Sequence, residues 1–175
     1  GGIAVSAVDT VIGSTGGNDR VVLIGGGTTS VSAVESVIGG TGSDVVALVD
    51  AGSISVSNVE TVLGTASTTT DDVVRQLGAG TIAVSGVETV IGSSTTGDVA
   101  RMLSEGALAL SAVETVVGTS GTDTVTMLAA GTLAASEVET LLGSAAAETV
   151  TLLGSSADVA VSQINTVIGT TGSDS

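Results

Sequence analysis

The chain has 175 residues, a formal charge of −15, and no aromatic residue, proline, cysteine, histidine or lysine. That composition excludes a disulfide framework and the usual nucleophile–base pairs of enzymes. Three arginines against 18 acids also leave too little positive charge for nucleic acid or an anionic membrane surface.

The sequence is a repeat. Val34 to Asp44 (VESVIGGTGSD) recurs in worn copies beginning at Val8, Val59, Val87, Val113, Val138 and Ile164. Its second residue falls at Asp9, Glu35, Glu60, Glu88, Glu114, Glu139 and Asn165, separated by 26, 25, 28, 26, 25 and 26 residues. A fixed period of this kind predicts units that bury their apolar face only against their neighbours. Apolar content is 42 %, almost all aliphatic, so the core can exist but must be narrow. The regular valines argue against disorder. No run approaches 18 apolar residues, so no membrane insertion is expected. The chain starts without Met and stops within a repeat, and we expect residues 1–175 to be a single repeat region, part of a longer chain or filament.

Within one unit the predicted elements follow in order. Ile54-Ser55-Val56 alternates like a half-buried strand, as do Ile3-Ala4-Val5, Ile82-Ala83-Val84 and Leu108-Ala109-Leu110. A serine follows each time, from Ser6 and Ser32 to Ser162, then a variable residue and an apolar one, usually valine; this predicts a corner with the hydroxyl bonded to nearby backbone. A second short strand, Val59 to Leu63 in this unit, ends on a glycine present in every copy: Gly13, Gly39, Gly64, Gly92, Gly118, Gly143 and Gly169. Such a glycine implies either positive φ or a close backbone approach. A small polar loop then closes on an acid. A third strand follows, at Val45 to Val49, Val73 to Leu77, Val99 to Leu103, Thr124 to Leu128 and Thr149 to Leu153, before a glycine turn returns the chain. From it Val46, Leu48, Val74, Leu77, Val125 and Leu128 are expected in the core.

Three strands per period predict an all-β fold, a right-handed parallel β-solenoid of about seven coils of roughly 26 residues, two- or three-sided, rising about 4.8 Å per coil. One coil per repeat would stack equivalent residues into ladders. One ladder would hold Asp9, Glu35, Glu60, Glu88, Glu114 and Glu139. A second would hold Asp19, Asp44, Asp72, Asp98, Asp123, Glu148 and Asp174. Like charges on neighbouring strands repel, so these ladders are expected either solvated at a corner or neutralised by a cation. A third ladder would carry Thr10, Ser36, Thr61, Thr89, Thr115, Thr140 and Thr166, and Arg75 would stack with Arg101.

Gly39 to Ala47 (GGTGSDVVA) fits the GGxGxDxUx nonapeptide throughout, and this stretch resembles the RTX calcium-binding repeats. Gly118 to Thr126 and Gly169 to Asp174 fit with the second glycine replaced, whereas the loops at Gly13, Gly64, Gly92 and Gly143 depart further. The resemblance implies Ca²⁺ held between stacked loops, with Asp19, Asp44, Asp72, Asp98, Asp123 and Asp174 as metal ligands, Asp44 pairing with Asp19 or Asp72 and Asp98 with Asp123. RTX rolls repeat every nine residues, against one loop in about 26 here. The competing expectation is that each aspartate caps its own turn through backbone N–H groups.

The sequence therefore predicts no enzyme. It predicts a structural rod of a secreted or cell-surface protein (an adhesin stalk, surface-layer element or filament subunit), with self-association end to end or continuation of the same chain. A calcium-dependent RTX-type folding module is the alternative, and an ice-binding threonine face a third.

Overall fold

The computed structural model describes residues 1–65, 71–154 and 158–170. It contains strands and turns only, and its strands come in the three kinds expected. The first repeat supplies β1 (Gly2–Val5), β2 (Thr10–Ile12) and β3 (Arg20–Leu23). The same trio recurs as β4 (Gly27–Ser32), β5 (Ser36–Ile38), β6 (Asp44–Leu48), then β7 (Ser53–Ser57), β8 (Thr61–Leu63), β9 (Val73–Gln76). It continues as β10 (Thr81–Ser85), β11 (Thr89–Ile91), β12 (Val99–Met102), then β13 (Gly106–Ser111), β14 (Thr115–Val117), β15 (Asp123–Met127). The stack closes with β16 (Gly131–Ser136), β17 (Thr140–Leu142), β18 (Glu148–Leu152), β19 (Ala160–Ser162) and β20 (Thr166–Ile168).

The strands form two ten-stranded parallel sheets, one of all odd-numbered and one of all even-numbered strands. The molecule is a two-sided β-solenoid of about nine turns. This corrects the expected one coil per repeat. A turn takes from 16 residues (Arg20 to Ser36) to 22 (Thr61 to Ala83). Each repeat has three strands and each turn uses two, so a repeat spans one and a half turns. Equivalent strands of successive repeats consequently lie in opposite sheets. Nine steps of about 4.8 Å make the stack roughly 43 Å long.

Period-two alternation decides what is buried. Inward residues form continuous apolar columns, such as Ile54, Val74, Val90, Leu110 and Met127 in the odd sheet and Ile82, Ala100, Val116, Ala135 and Leu152 in the even one. Aliphatic side chains of this size fill the gap between two sheets about 10 Å apart, and no aromatic ring is needed. The third strand of each unit ends one residue earlier than expected. Leu77 and Leu128, assigned above to the core, lie just past β9 and β15 and are 53 % and 51 % exposed. Their N–H groups still donate to Val56 O and Leu110 O, but the side chains point away from the core at the corner.

Opposite-sheet placement also separates the other ladders. Thr10, Thr61, Thr115 and Thr166 belong to the even sheet and Ser36, Thr89 and Thr140 to the odd one. Arg75 is on the odd sheet and Arg101 on the even one, both exposed, so they do not stack.

Candidate functional site

The acids meet at the corners, in an arrangement no single sequence ladder displays. Five aspartates and a glutamate close the polar loops: Asp19, Asp44, Asp72, Asp98, Asp123 and Glu148. Each donates its backbone N–H to a side chain one turn further on, at Glu35, Glu60, Glu88, Glu114, Glu139 and Asn165, over 2.7–2.9 Å. Glu35, Glu60, Glu88, Glu114 and Glu139 return a backbone N–H to the carbonyl of the same aspartate at 3.1–3.2 Å. The two acidic series are thus interleaved, and the glutamates, exposed or half-exposed at the corners, also have a structural task. The constant offset of 16 residues between the first five pairs was the available signal.

Beyond the half-buried Asp19 the loop carboxylates are not solvated. Asp44, Asp72, Asp98 and Asp123 are fully buried and Glu148 nearly so. A buried carboxylate is tolerable only when donors surround it. Oδ2 of Asp72 accepts the Thr65 N–H at 2.6 Å and the Thr65 hydroxyl at 2.8 Å, and Oδ1 accepts the Gly52 N–H at 3.0 Å. Asp98 repeats this with Ser93 and Gly80, and Asp123 with Thr119 and Gly106. Asp19 Oδ2 accepts the Ser14 N–H at 2.6 Å and the Ser14 hydroxyl at 2.7 Å. Asp174 lies outside the described residues.

Asp44 differs. Its Oδ2 accepts only the Gly40 N–H, at 2.7 Å, and its Oδ1 has no partner. The reason lies one turn back. Gly25 and Gly26 press on the loop so closely that a Cβ on Gly40 would lie 2.5 Å from Gly25 N and from Leu23 O, so no serine or threonine fits there. The Gly27 N–H, which would serve Oδ1, goes to Ser43 O at 2.9 Å. Burial pushes the Asp44 carboxyl up, the Gly40 bond opposes this, and the charge of Glu60 adds to it. Asp44 and Asp9 line a hollow of about 220 Å³ with Gly25 to Thr29.

The constant glycine is explained at the same corners. It does not have positive φ; it makes way for the next turn. A Cβ on Gly39 would stand 1.6 Å from Asn58 O, and one on Gly92 1.8 Å from Ala112 O. The intruding carbonyl belongs to the variable residue after the serine, which adopts the left-handed conformation at Ala7, Ala33, Asn58, Gly86, Ala112, Glu137 and Gln163. The corner is thus as expected, but its constant bond uses the serine carbonyl, which accepts the glycine N–H at 2.8 Å from Ser32 to Ser162. The hydroxyls of Ser32 and Ser85 instead bond to Asp50 and Ser104.

Chemically, these corners offer carboxylates and carbonyls. Among the described residues no group of three or more His, Cys, Asp or Glu side chains converges on one point. The structure does not bring Asp44 together with Asp72, or Asp98 with Asp123, across one loop interface, because those pairs sit in opposite sheets. No family model, curated protein or solved structure matches the chain.

Proposed function

We propose that the chain is a non-catalytic structural rod of a secreted or cell-surface protein, extended along its axis by further coils. The observation that carries this is the uniformity of the stack. The same Asp–Glu exchange, corner glycine and left-handed residue recur along it without an inserted loop in the described residues. The hollows at its corners are small, about 180–220 Å³, with one of about 310 Å³ at the first coil. At the ends, among the described residues, β1, β2, β19 and β20 are each paired on one side only, and apolar Ile3, Val161 and Val167 are exposed there. Unpaired parallel edges with exposed apolar groups recruit more β-structure. The expected extension is more coils of the same polypeptide or end-to-end copies. Denaturing electrophoresis and negative-stain microscopy of native material test this. A very large polypeptide supports continuation, a band near 16.5 kDa with filaments supports stacked copies, and the same band with dispersed short particles overturns the rod.

A second reading, calcium-responsive folding of the RTX kind, is favoured at the loop that fits the glycine motif by the unpartnered, buried Oδ1 of Asp44; Glu148 Oε2 is likewise unpartnered, in a loop without that motif. At Asp72, Asp98 and Asp123 backbone donors already occupy both oxygens. Circular dichroism melts in EDTA and in millimolar Ca²⁺ should show a calcium shift in the natural chain that D44N removes. Identical curves in the two conditions leave the aspartates as turn caps only.

A further inference from the structure

Two of the three arginines share a place that their sequence positions do not reveal. Pairing runs Arg20–Ser36–Ser55–Arg75 through β3, β5, β7 and β9. Both side chains therefore stand in one outward column of the odd sheet, three steps or about 14 Å apart. Both are exposed, and among the described residues neither makes an ion pair or a side-chain hydrogen bond, in a chain with 18 acids. The cause is that the odd sheet keeps acids off its surface. The one acid in its strands is Asp123, which is buried.

Acids of matching spacing stand on one edge. Asp50, in the turn after β6, and Glu105, in the turn after β12, are both exposed. Strands β6 and β12 are again three steps apart, in the even sheet. Asp50 Oδ2 accepts the Ser32 hydroxyl at 2.5 Å and Glu105 Oε2 the Thr122 N–H at 3.3 Å, and the other oxygen of each has no hydrogen bond. The corresponding turns on the opposite edge, after β3, β9 and β15, carry Gly25-Gly26, Gly78-Ala79 and Ala129-Ala130, with no acid. The equal spacing has one origin. A repeat takes one and a half turns, so a given kind of residue returns to the same side every two repeats, or three turns.

We propose that a second copy of the chain lays its Asp50–Glu105 edge along the Arg20–Arg75 face, each guanidinium against one carboxylate. Charge complementarity and period together select this occupant. The face asks for anionic groups about 14 Å apart on a straight line, which another stack of the same strand spacing presents. The landing strip between the arginines is free of acids, so no like charges meet there. The contact joins a face of one copy to an edge of the next, so it is heterologous and repeats sideways into a layer of parallel rods. Exposed ion pairs are weak one at a time, and the shared spacing sets the register of the contact more than its strength. It runs across the rod axis and holds whether that axis is extended by the same polypeptide or by stacked copies.

The test is sedimentation equilibrium of the full chain at millimolar concentration in about 0.15 M NaCl, where charges farther apart than about 8 Å are screened. The natural chain is expected to self-associate. R20E/R75E alone and D50R/E105R alone should each associate at least about tenfold more weakly, because face and edge then carry the same sign. An equimolar mixture of the two variants should recover association, since each face again meets an edge of opposite charge. R20Q/R75Q, which removes charge without reversing it, replaces R20E/R75E if circular dichroism shows that variant unfolded. A natural chain that stays single, or a mixture that does not associate, overturns the proposal. Equal association of the natural chain and either variant also overturns it, and leaves end-to-end stacking as the contact observed.

Discussion

The loops ending at Asp44 and Asp98 perform the same turn with opposite economies. At Asp98, a serine after the corner glycine donates through N–H and hydroxyl, and Gly80 serves the other oxygen. At Asp44 the serine is replaced by Gly40 and the other oxygen has nothing. The loop that best fits a calcium-binding motif is thus one the chain itself satisfies least. The second glycine of the motif explains both facts. It lets the neighbouring turn approach closely, and in doing so removes the hydroxyl that would have completed the carboxylate's bonds.

The largest expected effect probes what the two loops share. Gly39→Ala and Gly92→Ala each drive a Cβ into a backbone carbonyl that cannot move without displacing a corner, and each should cost about 3 kcal/mol or more in urea unfolding. A mild effect at either one would show that the corners differ in more than their aspartates. Next comes the contrast itself. D98N sets an amide NH₂ against a backbone donor in a sealed site and should cost about 2 kcal/mol, whereas D44N, with one oxygen unpartnered, should cost less than about 1 kcal/mol. Equal losses would break the comparison. Ser93→Gly, which makes the Asp98 loop resemble the Asp44 loop at that position, should cost about 1 kcal/mol by removing the hydroxyl's bonds to Asp98 and Thr95.

The pH dependence gives a finer test. Asp44 has a raised folded pKa, so its ionisation penalises the native state at neutral pH. That penalty falls as pH drops through the raised value towards 3.8, the ordinary value, below which nothing more is gained. The natural chain should therefore gain stability relative to D44N between pH 7 and 4, measured by paired melts. A constant difference across that range would place the Asp44 carboxyl at its ordinary value. Smallest of all, Ala112→Gly should stabilise by about 0.5–1 kcal/mol, relieving an alanine held at a φ of 52° where another repeat already has Gly86.

Much of the fold is legible along the chain. The period, the three strand kinds, the corner after each serine and the closing role of Asp72, Asp98 and Asp123 all follow from local chemistry that a single repeat displays. The glutamates remain exposed or half-exposed, but their second task is not legible, because the aspartate they bond lies one turn back and a charge beside a strand looks the same whether it faces water or an N–H group. Leu77 and Leu128 were misjudged because alternation does not mark where a strand gives way to a corner. Gln76, buried at the end of β9, is not marked by the sequence, because one polar residue in a degenerate repeat carries no signal until its burial is known.

The sequence by itself determined that this chain is a regular parallel β stack with a narrow aliphatic core and acid-capped loops, since these depend on residue types at fixed local spacing. Only the tertiary structure decided which residues are neighbours. Three strands per repeat wound on two faces make an odd number over an even one, so every equivalent position changes face from one repeat to the next. The ladders of the sequence become alternating sites, and the contacts that hold the corners join different strands of neighbouring repeats.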